Sequence, residues 1–260
     1  MTRLFVGAKV CALWPKFELQ GHYLPEDTRH ATLAFLGKAD ANKLVEELSL
    51  LPALSFSVGL GGTFDRALLL PEQDARVVCW HVAWQNQELT QFQSQLSHYL
   101  ETKGYALDSR PWLSHVSVCR SPVHPQQWVD AFYPLACFVD SIHLYESLGH
   151  GQYRSLWSRA FHLPFQEIEH TADLAFHIFG ENLDRIYENA FLALAFQEPQ
   201  LCMHWTPHKA IGSLDDVVIL LNDAICRLDQ TTGSPFKAVS FHGQVELFQC
   251  GFKWEMIVDI

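Results

Sequence analysis

The sequence predicts an α+β fold of two closely packed domains, the first built from two similar lobes related by a pseudo-two-fold. Three observations predict it. Over residues 1–162, short apolar strands are mixed with a few amphipathic helices, and the order strand–helix–strands occurs twice. After His162 the pattern changes character, with no Gly/Ser linker between the halves. Charge changes there too: residues 1–162 carry 13 Lys and Arg against 15 Asp and Glu, whereas residues 163–260 carry 5 against 14. The first half therefore tolerates a polyanion and the second repels one. The expected domains are 1–162 and 163–260.

RLFVGAKV (3–10) reads as a first strand. Lys9 breaks the apolar run and Trp14-Pro15 follows, which argues against a signal peptide. HATLAFL (30–36) is the next strand. In NKLVEELSLL (42–51), Leu44, Leu48 and Leu51 share a helical face. LSFSVGL (54–60), RALLL (66–70) and VVCWHVAW (77–84) read as strands. A helix over 87–104 aligns Leu89, Phe92, Leu96 and Tyr99, and Gly104 is placed to end it. LSHVSVC (113–119) is a strand, and PQQWVDAFY (125–133) is a short helix with Pro at its start. CFVDSIHLYES and YRSLWSRAF close this half as strands.

In the second half, FQEIEHTADLAFHIFG (165–180) reads as one or two strands. Asn182 caps a helix whose Leu183, Ile186, Ala190 and Leu194 share a face. Ser213 with Asp216 opens a second helix, striped by Leu214, Val218, Leu221, Ile225 and Leu228. The rest is strand, the last one alternating Phe252, Trp254, Met256 and Val258 inward.

With 48% hydrophobic and 18% charged residues, the composition is that of a soluble globular protein rather than a disordered one. No run of eighteen apolar residues exists, so no membrane span is expected. The seven cysteines show no regular spacing and no C-x-x-C pair, which suits reduced thiols in the cytoplasm.

Two strands carry a histidine followed two residues later by a hydroxyl: His30 with Thr32, and His115 with Ser117. The tripeptide alone means little in a chain with 14 His, and a third copy, His204-Trp-Thr206, runs straight into Pro207. The setting separates the first two. Strand residues two apart share a face, so each pair projects together while Ala31, Leu33, Val116 and Val118 face the core. Arg120 stands five residues from His115 and would face away on a regular strand, so it is expected at the strand end. Side by side, the two strands would present two imidazoles, two hydroxyls and a guanidinium to one anion, a set suited to a phosphodiester. Imidazoles with pKa near ~6.5 can divide the proton work at neutral pH without a metal. The plainer alternative is two hydrogen-bonded histidines at strand ends.

These residues resemble a known family. HATLAFLG and HVSVCR are similar to the paired signatures of the two-histidine phosphoesterases, in the RNA 2′,3′-cyclic phosphodiesterase (2′-5′ RNA ligase-like) group. RLFVGAKV and LYESLGHGQYRSLW resemble the flanks of those motifs. The resemblance implies a two-lobed α+β fold and hydrolysis of terminal 2′,3′-cyclic phosphates on RNA to 2′-phosphates. His30 and His115 would be catalytic, Thr32, Ser117 and Arg120 would bind substrate, and no cofactor is called for. The chain departs in two places: the segment before HYLPEDTRH is shorter than the family's opening helix, and Arg29 stands where a neutral residue is commoner.

In the second half, Asp173 and Asp259 follow apolar runs, and Ile260 is the last residue given. Two carboxylates with a main-chain carboxylate would suit Ca²⁺ or Mg²⁺; surface aspartates at strand ends are the plainer alternative. His170 is expected as an ordinary core histidine. EIEHTADLAFHIFGENLDRIYENAFLAL, LLNDAICRLD, FKAVSFHG and the final VDI resemble, in order, archease, which activates the RtcB-type RNA ligase. That resemblance implies a small α/β sandwich, shortened here because only QTTGSP precedes FKAVSF. It implies a metal site at Asp173, Asp259 and Ile260, a functional lysine at Lys237 and a ligase partner. Cys202, His204 and His208 imitate a zinc site, but Pro207 and the lack of a second ligand pair argue against it.

Overall fold

A computed structural model describes residues 2–51, 54–149, 151–171, 173–207, 210–240, 243–249 and 251–260. In chain order, the first half forms β1 (Thr2–Ala12), β2 (His22–Tyr23), β3 (His30–Ala39), α1 (Ala41–Ser49), β4 (Leu60–Leu70) and β5 (Val77–Trp84). It continues with α2 (Glu88–Thr102), β6 (His115–Arg120), α3 (Pro125–Asp130), β7 (Leu135–Gly149) and β8 (Gln152–Ala160). Every ladder is antiparallel, and the order β1–β3–β6–β5–β4–β7 closes through pairing of β7 with β1. The result is barrel-like. It runs outward symmetrically from the β3–β6 pair, whose one assigned rung is Ala31 opposite Val116.

Behind those two strands lies the core that the helices cover. Leu44 and Leu48 of α1 join Leu89, Phe92, Leu96 and Leu100 of α2 and Ala31, Leu33, Val116 and Val118 in one buried cluster. The Asp40 side chain accepts from the amides of Asn42 and Lys43 and so caps α1. Past the end of α2, Gly104 takes φ +89°, the left-handed conformation expected of it. The segment 54–60 departs from expectation: it is irregular up to Leu60, and β4 instead runs on through Gly61 and Gly62. Those glycines admit close neighbours, since a Cβ on Gly61 would lie 2.1 Å from Gln85 Oε1 and one on Gly62 2.8 Å from Trp84.

The second half adds β9 (Phe165–Ile168), β10 (Leu174–Gly180), α4 (Leu183–Gln197), α5 (Leu214–Thr231), β11 (Ala238–Val239), β12 (Glu246–Phe248) and β13 (Gly251–Asp259). Its sheet has the order β11–β13–β10–β9, with β12 also on β13. The Asn182 side chain accepts from Arg185 N, and Ser213 accepts from Asp216 N, so both expected caps are made. Trp254, Met256 and Val258 are buried and Phe252 is partly so.

Helix α4 differs from its expected one-sided pattern. Every residue from Arg185 to Ala195 is buried. It touches β10 on one side and β4 and β7 on the other, so it lies between the two sheets. The sheets therefore share a wall: Phe138 of β7 packs on Phe165 and Phe196, and Arg185 of α4 donates to Gly59 O at 2.9 Å. Among the described residues, no helix is long and apolar enough to cross a membrane.

Candidate active site

The single rung between Ala31 and Val116, both fully buried, decides which way the histidines point. Their neighbours His30, Thr32, His115 and Ser117 project from the opposite face. Continuing that antiparallel register sets His30 beside Ser117 and Thr32 beside His115, so each imidazole meets the other motif's hydroxyl.

The two histidines are held identically. His30 Nδ1 lies 2.7 Å from Thr28 O, and His115 Nδ1 lies 2.7 Å from Leu113 O, in each case the carbonyl two residues back. A carbonyl only accepts, so Nδ1 carries the proton and Nε2 presents a lone pair in the neutral ring.

Their surroundings differ. The His30 ring stacks on Phe5 at 4.8 Å, tilts over Tyr145 at 5.1 Å and meets the edge of Tyr153 at 5.0 Å. Gly7 permits this, because a Cβ there would lie 3.1 Å from His30 Cδ2. Burial first, and then repulsion from the groups His115, His143 and Arg120 nearby, push the His30 imidazole down to about 4, against a hydrogen bond to Thr28 that favours its proton. His30 is thus a neutral base at pH 7. His115 is the more open of the two, and Trp112 Nε1 donates to Thr32 O at 2.7 Å.

Arg120 is the last residue of β6, as expected, but a bulge explains its direction. Val78 pairs with Cys119 and Cys79 with Ser117, leaving Val118 as an extra residue. Val118 and Cys119 are both buried, the alternation slips by one, and Arg120 returns to the face of Ser117. Its Nη2 donates to Tyr153 Oη at 3.4 Å.

Sequence reasoning passed over Phe5, Gly7, Tyr145 and Tyr153, although the two segments holding them had stood out. It also missed His143, which stacks on Tyr145 at 5.0 Å. His143 Nε2 is 2.8 Å from Ser141 Oγ, which donates to Asp140, and Asp140 receives Lys9 at 3.0 Å. Arg29 is turned away from the site: it is buried, lies 4.3 Å over Trp14 and donates to Leu24 O at 3.1 Å. The short segment before it borders a cavity of about 320 Å³ lined by Lys16, Phe17, Tyr23 and Arg29.

The His30 environment predicts a pH effect on stability. An unfolded imidazole protonates below about 6.5 and the folded one only near 4, so between these values the unfolded chain binds more protons and stability falls as pH falls. After allowance for partial exposure the loss is on the order of 2–3 kcal/mol by pH 4. His30→Asn is expected to flatten the melting temperature against pH over that interval. Parallel curves for wild type and variant would contradict the burial argument.

In the second sheet, Leu174 pairs with Val258, and the next step of that register sets Asp173 opposite Asp259. Lys237 N donates to Asp259 O at 2.8 Å and Lys237 Nζ to Ile260 O at 2.6 Å, which brings Lys237 to both C-terminal residues. His170 is exposed rather than in the core, its Nδ1 3.7 Å from Asp173 Oδ2. The oxygen donors fit a hard cation in kind, but the Lys237 ammonium already serves Ile260 O. Among the described residues, no three His, Cys, Asp or Glu side chains form a metal-holding group. Of the zinc imitators, Cys202 is buried, His204 Nε2 faces Thr231 Oγ1 at 3.2 Å, and His208 lies outside the described residues.

No family model and no curated protein matches the chain. Among solved structures it is similar to one described as a phosphoesterase, at 24% identity and TM-score 0.48, over 62% of this chain and 98% of that one. Escherichia coli LigT complexed with 3′-AMP is similar at 24% identity and TM-score 0.47, over the same 62% and 98%. The Thermus thermophilus protein TT0787 is similar at 19% identity and TM-score 0.45, again over 62% and 98%.

Proposed function

We propose that residues 1–162 form a metal-independent phosphodiesterase that hydrolyses RNA terminal 2′,3′-cyclic phosphates to 2′-phosphates. One observation carries the reading: twin imidazoles on paired strands, each tethered through Nδ1 to the same relative carbonyl and each followed by a hydroxyl on the same face. The chemistry fits any phosphodiester; the cyclic RNA end is read from the resemblance of the motifs. Half-buried and neutral, His30 takes a proton from water at Nε2 as the water oxygen attacks phosphorus. The more open His115, entering as the imidazolium, gives its Nε2 proton to the 3′-oxygen as the P–O3′ bond breaks. Thr32, Ser117 and Arg120 hold the non-bridging oxygens, whose charge grows in the transition state. The product carries a 2′-phosphate and a free 3′-hydroxyl. Release of 2′-phosphate from 2′,3′-cyclic CMP in EDTA is the expected result; no release, or release only with added metal, would overturn the reading.

For residues 163–260, the juxtaposition of Asp173 with Asp259 supports an archease-like module that holds Ca²⁺ or Mg²⁺ and assists an RtcB-type RNA ligase. Asp173→Ala is expected to abolish calorimetric Ca²⁺ or Mg²⁺ binding while leaving the diesterase rate within about twofold, since the site belongs to the other sheet. A wild type that binds neither ion would remove the cation site.

A further inference from the structure

Beside His115 stands a third imidazole with its own carboxylate. His81 of β5 is the register partner of His115, and Cys79 of the same strand is that of Ser117, with its Sγ 3.4 Å from Ser117 Oγ. Trp80 and Val82 are buried in the core, so His81 lies on the site face. Its Nδ1 is 2.6 Å from Asp65 Oδ1. Asp65 is there because β4 bulges: the register skips between Phe64 and Arg66, and the extra residue is turned out of the ladder. Arg66 Nη1 holds the other carboxylate oxygen at 2.9 Å. A carboxylate fixed on both sides and aimed at Nδ1 sets the ring's tautomer and orientation, and leaves Nε2 as an acceptor in the neutral ring. The side chain is 19% exposed, so it is accessible from one direction while packed in the others.

The mechanism fixes what reaches it. Attacking and leaving oxygens lie roughly in line across phosphorus in phosphoryl transfer. With His30 activating the water, the leaving 3′-oxygen and its nucleoside lie on the His115 side, and the strand beyond β6 is β5. We propose that His81, held by Asp65, binds the terminal nucleoside, accepting a hydrogen bond at Nε2 from an N–H group of its base. The inference rests on the phosphodiesterase reading and adds to it the part of the substrate that is gripped. Each common nucleobase carries an N–H donor, so the contact favours nucleotides over bare sugar phosphates without selecting one base.

The test compares 2′,3′-cyclic CMP with the abasic 2,3-cyclic phosphate of ribose. His81→Leu is expected to raise KM for cyclic CMP roughly fivefold to tenfold, the worth of one neutral hydrogen bond, with kcat little changed and the abasic substrate unaffected. Asp65→Asn, which keeps the shape, is expected to shift KM in the same direction. Equal losses on both substrates, or no loss, would overturn the proposal. If wild type turns over neither substrate, the phosphodiesterase reading falls by itself, and binding decides the inference. Cytidine 2′-phosphate must then bind more tightly than ribose 2-phosphate, and His81→Leu must erase that difference; equal affinity, or no binding of either, refutes it.

Discussion

His30→Ala and His115→Ala are each expected to lower kcat/KM on 2′,3′-cyclic CMP, assayed in EDTA, by about 10²–10⁴-fold. The two losses should differ in kind. A diester whose leaving group is 4-nitrophenolate needs no proton on departure, so His115→Ala is expected to be largely spared on it and His30→Ala is not. The pH profile separates them as well. Since burial holds the His30 imidazole down to about 4, the acid limb of kcat/KM is expected near pH 4 rather than at the ~6.5 of a free imidazole. Activity should therefore persist through pH 5 and fall only as His30 takes up its proton. An acid limb at ordinary imidazole pH would assign the base elsewhere. Wild-type protein inert on the cyclic substrate would overturn the diesterase reading.

Arg185→Leu is expected to destabilise the chain by about 3–5 kcal/mol. Arg185 is 3% exposed and sits where the two sheets meet. It pairs with Glu188 at 2.6 Å and Glu181 at 3.4 Å, faces Glu88 at 3.8 Å, and donates to Gly59 O at 2.9 Å. Around it, Glu181 Oε1 accepts from the Ser57 and Val58 amides at 2.7 and 2.8 Å, and Glu188 Oε2 accepts from Asn86 at 2.7 Å. Burial pushes the Glu88 carboxyl up, with Arg185 pulling against it. For Glu181 burial acts the same way but is outweighed by the Ser57 amide and Arg185, which hold it below its usual value. Removing this cation leaves the buried Glu188 unpaired beside the partly buried Glu181 and Glu88, a cost above that of losing a surface pair. Urea unfolding of wild type should be one cooperative transition, and the variant should unfold earlier and in two steps as the halves uncouple. A shift under about 1 kcal/mol would show the junction to be solvated.

Much of the site was legible because its logic is local. A histidine and a hydroxyl two residues apart on a strand share a face whatever surrounds them, and caps such as Asn182 and Ser213 act within one turn of their own chain. Arg120 shows where local reasoning stops: alternation pointed it away, and only a ladder with Val118 left over turns it back. Helix α4 shows the same limit. Its periodic face was visible, but its second buried face depends on a sheet far away in sequence, which small residues such as Ala190, Ala193 and Ala195 let approach closely.

By itself the sequence determined the strand and helix periods, the two histidine motifs and the acid load of the last hundred residues. Backbone periodicity and side-chain chemistry are enough for these. Tertiary structure alone decided that the strands close into a ring, that β3 and β6 meet at one rung, and that one imidazole lies under tyrosines while the other stays open. Desolvation sets His30 apart from its twin His115, and desolvation belongs to the packed surroundings of a residue, which no stretch of sequence contains.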